Sequence, residues 1–364
     1  MIGDTDTKLS TGLVGDGNSL VADRDILYSG AAAIYNEEEP ARLPSESHAD
    51  FLADTVRRIN LDYLIVEGAG AISEENDPGI QGDRPGSPRQ RLSGVAGSWW
   101  VWDKDSEASP SVAYGNHLGR VLRQHELDDI LRPTPVTEEQ EKRAVEALSL
   151  VQELLPQVAA TTFPFVHHLV FLDGRILSMN LPQVPESVFI STELLGRDTI
   201  ELADALLHES LHEKMVVLRL TRRLMRAGYT DDDSATFLLP WSIDYVKPRH
   251  FNAGRIISAA HVYTHLAVLH CAALLRDTSA GGDVTDLHRS RISLPYARAA
   301  CLLDAMTREH VKDEFGDDGR LLREVLVEAL ESVRTELHGV VELKPHGWSG
   351  MSESALITPA KVAG

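Results

Sequence analysis

Apolar residues recur along this chain with two different periods, and the alternation between them predicts where it is helical and where it is extended. From Asp23 to Leu64 the spacing is mostly helical, broken near Pro40 and Pro44. Residues 1–20 are polar and glycine-bearing, which predicts a mobile start. Between Ser73 and Ser93, Pro78, Gly79, Gly82, Pro85, Gly86 and Pro88 stand among charges, the pattern of a long loop or insert. Trp99, Trp100 and Trp102 follow in a segment that reads as a short strand or a packing plug, and clustered tryptophans of this kind belong to a core or an interface.

Thr137 and Gln140 form a capping box that opens a helix running to Pro156. Two β-prone runs, Phe165–Leu172 and Arg175–Ser178, flank Asp173-Gly174 and predict a hairpin. Ser187–Ser191 predicts a third strand. His167 and His168 are neighbours in the first run, so they point to opposite faces and cannot serve one site. They read as structural or surface residues.

A long helix comes next, with Asp198 and Glu201 as its cap pair and Gly228 as its stop. Ile200, Leu202, Leu206, Leu207, Leu211, Met215 and Leu218 give it a wide apolar face. Arg219, Arg222, Arg223 and Arg226 fall in its expected last turns, where cations suit the helix dipole. Ile256–His270 is a second, nearly all-apolar helix. Pro295–Val311 and Arg320–His338 predict two more helices, read as core scaffolding, and from Lys344 onward the chain looks irregular.

The pattern predicts a predominantly α-helical α+β fold, with a small β-sheet before the first histidine-bearing helix and a buried second one. Its expected organisation is a mostly helical region over 1–136 with a flexible insert near 73–93. A main domain over 137–343 and an irregular tail over 344–364 follow.

Composition narrows the function classes. The formal charge of −20 argues against nucleic acid or anionic lipid as a partner and suits a neutral or basic peptide. No run of about 18 uncharged apolar residues predicts a membrane span. The first residues show no export signal, so the expected compartment is the cytoplasm. Cys271 and Cys301 both fall in apolar helical stretches and read as two buried thiols.

The candidate chemistry is His208-Glu209-Ser210-Leu211-His212, a HExxH box. Histidines at i and i+4 share a helix face, so both imidazoles can reach one metal ion, with Glu209 close enough to polarise a metal-bound water. Two ligands hold an ion weakly, and a third is expected. The positions three and six after the box are Met215 and Leu218, and no acid follows Glu213 before Asp231. The second histidine helix offers the third ligand, with His261 first and His265 next, while His270 reads as structural. Three imidazoles suit zinc or iron equally.

The ordered set of Leu206–Lys214 around the box, then Leu239-Pro240-Trp241, a basic turn and Ala259-Ala260-His261-Val262-Tyr263 resembles the HExxH-motif peptide-modification proteins of ribosomal natural-product biosynthesis. The resemblance spans about residues 185–275. It implies an iron(II), 2-oxoglutarate-dependent β-hydroxylase that uses dioxygen on a residue of a precursor peptide. His208, His212 and His261 would then hold iron, and Arg249 or Arg255, near Lys247-Pro248-Arg249, would pair with the distal carboxylate of 2-oxoglutarate. Arg298 is an outside candidate for that role. Trp241 and Tyr263 would line the pocket, and Glu209 would orient a ligand or handle a proton. The order of strands and HExxH helix is also that of zincin-like metal proteins, a fold analogy only.

The rival expectation is a zinc hydrolase in which Glu209 is the general base and Tyr263 or His265 stabilises the oxyanion. A third is a non-enzymatic peptide-binding module.

Overall fold

The computed structural model describes residues 2–11, 20–25, 27, 89–92, 99–105, 109–174, 176–181, 183–184, 186–343 and 357–358. Its helices are α1 (Ile2–Thr11), α2 (Ser109–Gln124), α3 (Glu138–Leu154), α4 (Pro156–Thr162), α5 (Thr192–Leu195), α6 (Thr199–Thr221), α7 (Ala253–Ser279), α8 (Asp286–Ala305) and α9 (Asp317–Glu336). The strands before α6 are β1 (Arg89–Arg91), β2 (Trp100–Trp102), β3 (Leu131–Pro133), β4 (His168–Gly174), β5 (Ser178–Asn180) and β6 (Ser187–Ser191). After α6 come β7 (Thr236–Leu238), β8 (His250–Asn252) and β9 (Ile357–Thr358). The fold is predominantly helical α+β, as the pattern predicts.

Contacts divide the chain into two compact units. One holds residues 1–15, 154–158 and 222–364, and the other residues 16–153 and 159–221. The boundary expected at residue 137 falls inside the second, because β4 pairs with β2 and β3 from the earlier sequence. Most of the expected helical stretch 23–64 and of the insert 73–93 lies outside the described residues.

The second unit is built on a mixed sheet of order β1-β2-β4-β6-β5, with β3 also paired to β4. β4 is parallel to both β2 and β6, and β5 is antiparallel to β6. Alternation along these strands separates two faces. Val170, Leu172 and Phe189 join Trp102, Leu118, Val121 and Leu122 in one core, with Met179 packed against it. Trp99 is fully buried and meets Phe163 edge-on, so the tryptophan segment is both strand and core. In the β5–β6 register Ser178 faces Ile190 and Asn180 faces Val188. These four therefore point to the opposite face, where α6 packs on β5 and β6.

The hairpin expected at Asp173-Gly174 does not form. β6 lies between β4 and β5, and β4 continues through both residues as they pair with Arg132 and Leu131. Gly174 is required there for proximity rather than for a turn: a Cβ on it would meet the Ile130 carbonyl oxygen at 2.3 Å.

α6 begins where expected, with Asp198 Oδ1 accepting from Glu201 N at 3.0 Å, but it ends at Thr221, seven residues before Gly228. The chain beyond is captured by the other elements of its own unit. Arg223 N donates to Asp318 at 2.7 Å, Met225 bridges Phe315, and Arg226 bonds Glu314 through backbone and side chain. These arginines meet carboxylates and a strand-like partner, not a helix terminus.

In the first unit α7 carries the core. It is long and apolar enough to cross a membrane, yet most of its apolar stretch is buried, and α1, α8 and α9 pack on it. Asn252 caps it by accepting from Arg255 N at 2.9 Å. α8 begins at Asp286 under a Thr285/His288 capping box, so Pro295 stands inside the helix and not at its start. Residues 2–11 form an anchored helix: Asp6 is buried in α1 and its carboxylate accepts from Gln157 N and Val158 N at 2.9 and 2.8 Å. With Pro156 at the first helical position, those donors open α4 and need an acceptor, which corrects the expectation of a mobile segment over 2–11. β9, from the expected irregular tail, pairs with β7.

Candidate metal centre

His208, Glu209 and His212 are brought together by the middle of α6. One potential ligand atom from each lies within 4.8 Å of the others, and among the described residues this is the one such group of three. The two imidazole centroids are 5.0 Å apart with the rings inclined at 59°. Both rings are half-buried, while Glu209 is buried. The i, i+4 spacing supplies this geometry, and the apolar face of α6 fixes which way the helix is turned.

β5 fixes the carboxylates. Ser178 Oγ donates to Glu209 Oε1 at 2.6 Å, and Asn180 Nδ2 donates to Glu213 Oε1. Glu213 Oε2 also accepts from Glu186 N at 2.8 Å. Two residues apart on a strand, Ser178 and Asn180 point the same way and are separated by about one helical turn, so they match glutamates at i and i+4. This double contact locks the register of β5 against α6. The sequence reading gave Ser178 and Asn180 no functional part. Their available signal was the polar alternation Ser-Met-Asn set against Glu209 and Glu213.

The electrostatics follow from burial. Burial first, and the adjacent His208 second, push the His212 imidazole down to about 3. At neutral pH it is therefore uncharged, with a lone pair for a cation. Burial raises Glu209 above the usual carboxylate range, while His208 and the Ser178 bond oppose the rise and Asp204 adds to it. Burial raises Glu213 well above that range, against its bonds from Glu186 N and Asn180.

The other sequence candidates lie in the first unit. His261 and His265 are buried on α7, with centroids 4.3 Å apart. His265 Nδ1 lies 2.7 Å from the His261 carbonyl oxygen. A carbonyl only accepts, so Nδ1 carries the proton and Nε2 holds the lone pair. His270 is buried on the same helix. Arg249 and Arg255 are exposed. The Arg249 guanidinium lies 5.5 Å from the Phe251 ring centre. Arg298 instead sits over both Trp241 and Tyr263, at 5.4 and 5.3 Å. His167 and His168 remain outside the group: His167 lies 3.8 Å from Glu186, and His168 stacks on Tyr114. Cys271 and Cys301 are free thiols, both pushed up to about 12 by burial.

Two neutral-capable imidazoles on one face, with a buried carboxylate at the same spot, fit a divalent transition metal or zinc. No protein-family model and no curated protein matches this chain.

Proposed function

We propose that this protein is a metal-dependent peptide-modifying enzyme, an iron(II)/2-oxoglutarate-dependent β-hydroxylase of a residue in a ribosomally made precursor peptide. The observation that carries the metal part is the cluster of His208, Glu209 and His212 within 4.8 Å, with His212 held neutral. The resemblance of the box, Pro240-Trp241 and the second histidine helix supports the choice of reaction. On this reading His208 and His212 bind the ion through their ring nitrogens, and His261 supplies the third ligand on the strength of the sequence alone. When bound, iron(II) with 2-oxoglutarate and dioxygen supplies the oxidation of an unactivated C–H bond.

The chain's own residues supply position and proton control. Ser178 holds Glu209 by its Oε1, which restrains the carboxylate beside the two imidazoles. Burial favours the protonated form of Glu209, so it can donate a hydrogen bond to a ligand, or give up its proton during turnover and take one back.

One observation favours a second reading, a zinc hydrolase. A carboxylate raised by burial and held beside the histidine pair is placed as a general base needs to be. Anaerobic loading with Fe(II), followed by titration with 2-oxoglutarate, separates the two. A weak visible charge-transfer band that disappears in His208→Ala is the expected result. Tight retention of zinc, with no band, would transfer the assignment to a hydrolase.

A further inference from the structure

The chain between β7 and β8, in the first unit, is fixed at its base and bare at its tip. Ser242 is buried; its Oγ accepts from Arg249 N at 2.8 Å and donates to the Leu239 carbonyl oxygen at 2.9 Å. Leu239 N donates in turn to the Arg249 carbonyl oxygen at 2.9 Å. Every residue from 243 to 250 is exposed. Three of them are large and apolar: Ile243 at 40%, Tyr245 at 51% and Val246 at 102% of full exposure. One apolar side chain on a surface is ordinary, whereas three within four positions on a held turn mark a contact surface.

The charge of this tip is also out of character. In a chain of formal charge −20 it carries Lys247 and Arg249 against Asp244 alone. Arg249 lies against the Phe251 ring, while Lys247, between Val246 and Pro248, is in no ion pair among the described residues. The outer stripe of α9, in the same unit, has the complementary character. Most of its acids are paired, Asp317 with Arg320, Glu328 with Lys8 and Glu331 with Arg334. Glu324 is exposed and in no ion pair among the described residues. Leu321 and Val327 stand three positions before and after it, so they flank its carboxylate on the helix surface, and both are exposed.

We propose that the tip 243–248 docks on the α9 stripe of a second copy of this chain, with Lys247 pairing Glu324 while Tyr245 and Val246 pack on Leu321 and Val327. A cation set between apolar side chains on one face matches a carboxylate set between apolar side chains on the other. Each copy carries both faces, so a two-fold axis makes the contact twice. The excess acid on the two copies opposes their approach only weakly, because physiological salt screens exposed charges beyond about 8 Å.

The test uses the full chain at physiological salt and stands apart from the metal assignment. Analytical ultracentrifugation over a dilution series reaching about 0.1 mM should show reversible dimerisation in the micromolar range. Lys247→Glu, Glu324→Lys and Val246→Ser should each weaken it about tenfold or more, with circular dichroism to check that the fold is intact. Lys247→Glu combined with Glu324→Lys restores opposite charges and should recover most of the native affinity. Where a charge reversal does not fold, the glutamine variant at that position decides. A native chain that stays monomeric leaves the tip to a different partner and overturns the docking. Native affinity in any folded single variant, or a double reversal that associates no better than the singles, also overturns it.

Discussion

Two helices in this chain carry histidines at i and i+4, and they use the spacing in opposite ways. On α6, His208 and His212 are half-buried and flank a buried glutamate that a polar side chain on β5 holds. On α7, His261 and His265 are buried within a nearly apolar helix, and one ring is tied to the backbone one turn earlier. The spacing puts two rings on one face in both cases. What differs is the supply of charge and polar partners around them. A shared interval therefore locates a face, and the neighbouring elements determine what surrounds the rings on it.

The largest expected effect is on the α6 pair. His208→Ala should lower metal affinity by at least about 100-fold and abolish activity, because one lone-pair donor of two on that helix is gone. The melting temperature of the metal-free protein should change little, since a half-buried ring is removed. Isothermal titration with Fe(II) or Zn(II) and a thermal melt check both statements, and native affinity would end the metal assignment. The α7 pair should behave in reverse. His265→Ala removes a buried ring and leaves a cavity, at a cost of roughly 2–5 kcal/mol in chemical denaturation. His261→Ala adds the sharper question, because only the third ligand should lose metal affinity and stability together.

The sequence made one end of each α6 argument visible and hid the other. Asp198, the HExxH interval and the strand Ser187–Ser191 are local signals, since each depends on residues a few positions apart. The contact from Ser178 to Glu209 spans 31 positions and depends on β6 lying between β4 and β5. Asp173-Gly174 carries a turn signature that a pairing with β3 overrides, because close approach of a backbone can also demand glycine. The end of α6 was hidden for a similar reason: Arg223 and Arg226 are recruited by Asp318 and Glu314, about ninety positions onward. Arg298 entered only as an outside candidate, because the aromatic residues that frame it come from two other elements.

Acid should separate the pairs next. His212 ordinarily titrates near 6.5 and is pushed down to about 3 in the fold. The unfolded chain thus binds a proton more readily, and the stability this residue contributes is present above about pH 6.5 and is lost as pH falls toward 3. Glu209 and Glu213 are raised, so they act in the other sense and favour the fold on the acid side. Comparing metal-free native protein with His212→Gln isolates the histidine. The native melting temperature should fall more steeply between pH 6.5 and 4 than that of the variant. Parallel slopes would contradict an imidazole held neutral by the fold.

The smallest effect belongs to the latch on β5, and it tests whether polar surroundings make the α6 pair a site. Ser178→Ala removes one neutral donor to Glu209 Oε1, a loss of about 0.5–1.5 kcal/mol in stability if nothing replaces it. Packing alone predicts that this is the whole result and that Ser178→Thr behaves similarly. A positioning role predicts more. With its anchor removed, Glu209 can turn, so kcat should drop several-fold with KM little changed, and Ser178→Thr should restore it because the hydroxyl returns. Asn180→Ala, which unties Glu213 instead, should cost stability without that kinetic signature, since Glu213 lies outside the donor group. If both variants lose stability alone, β5 is a structural clamp and Glu209 holds its place by burial. If only Ser178→Ala moves kcat, the strand is part of the centre, and the polar neighbours of α6 are what separate its histidines from those of α7.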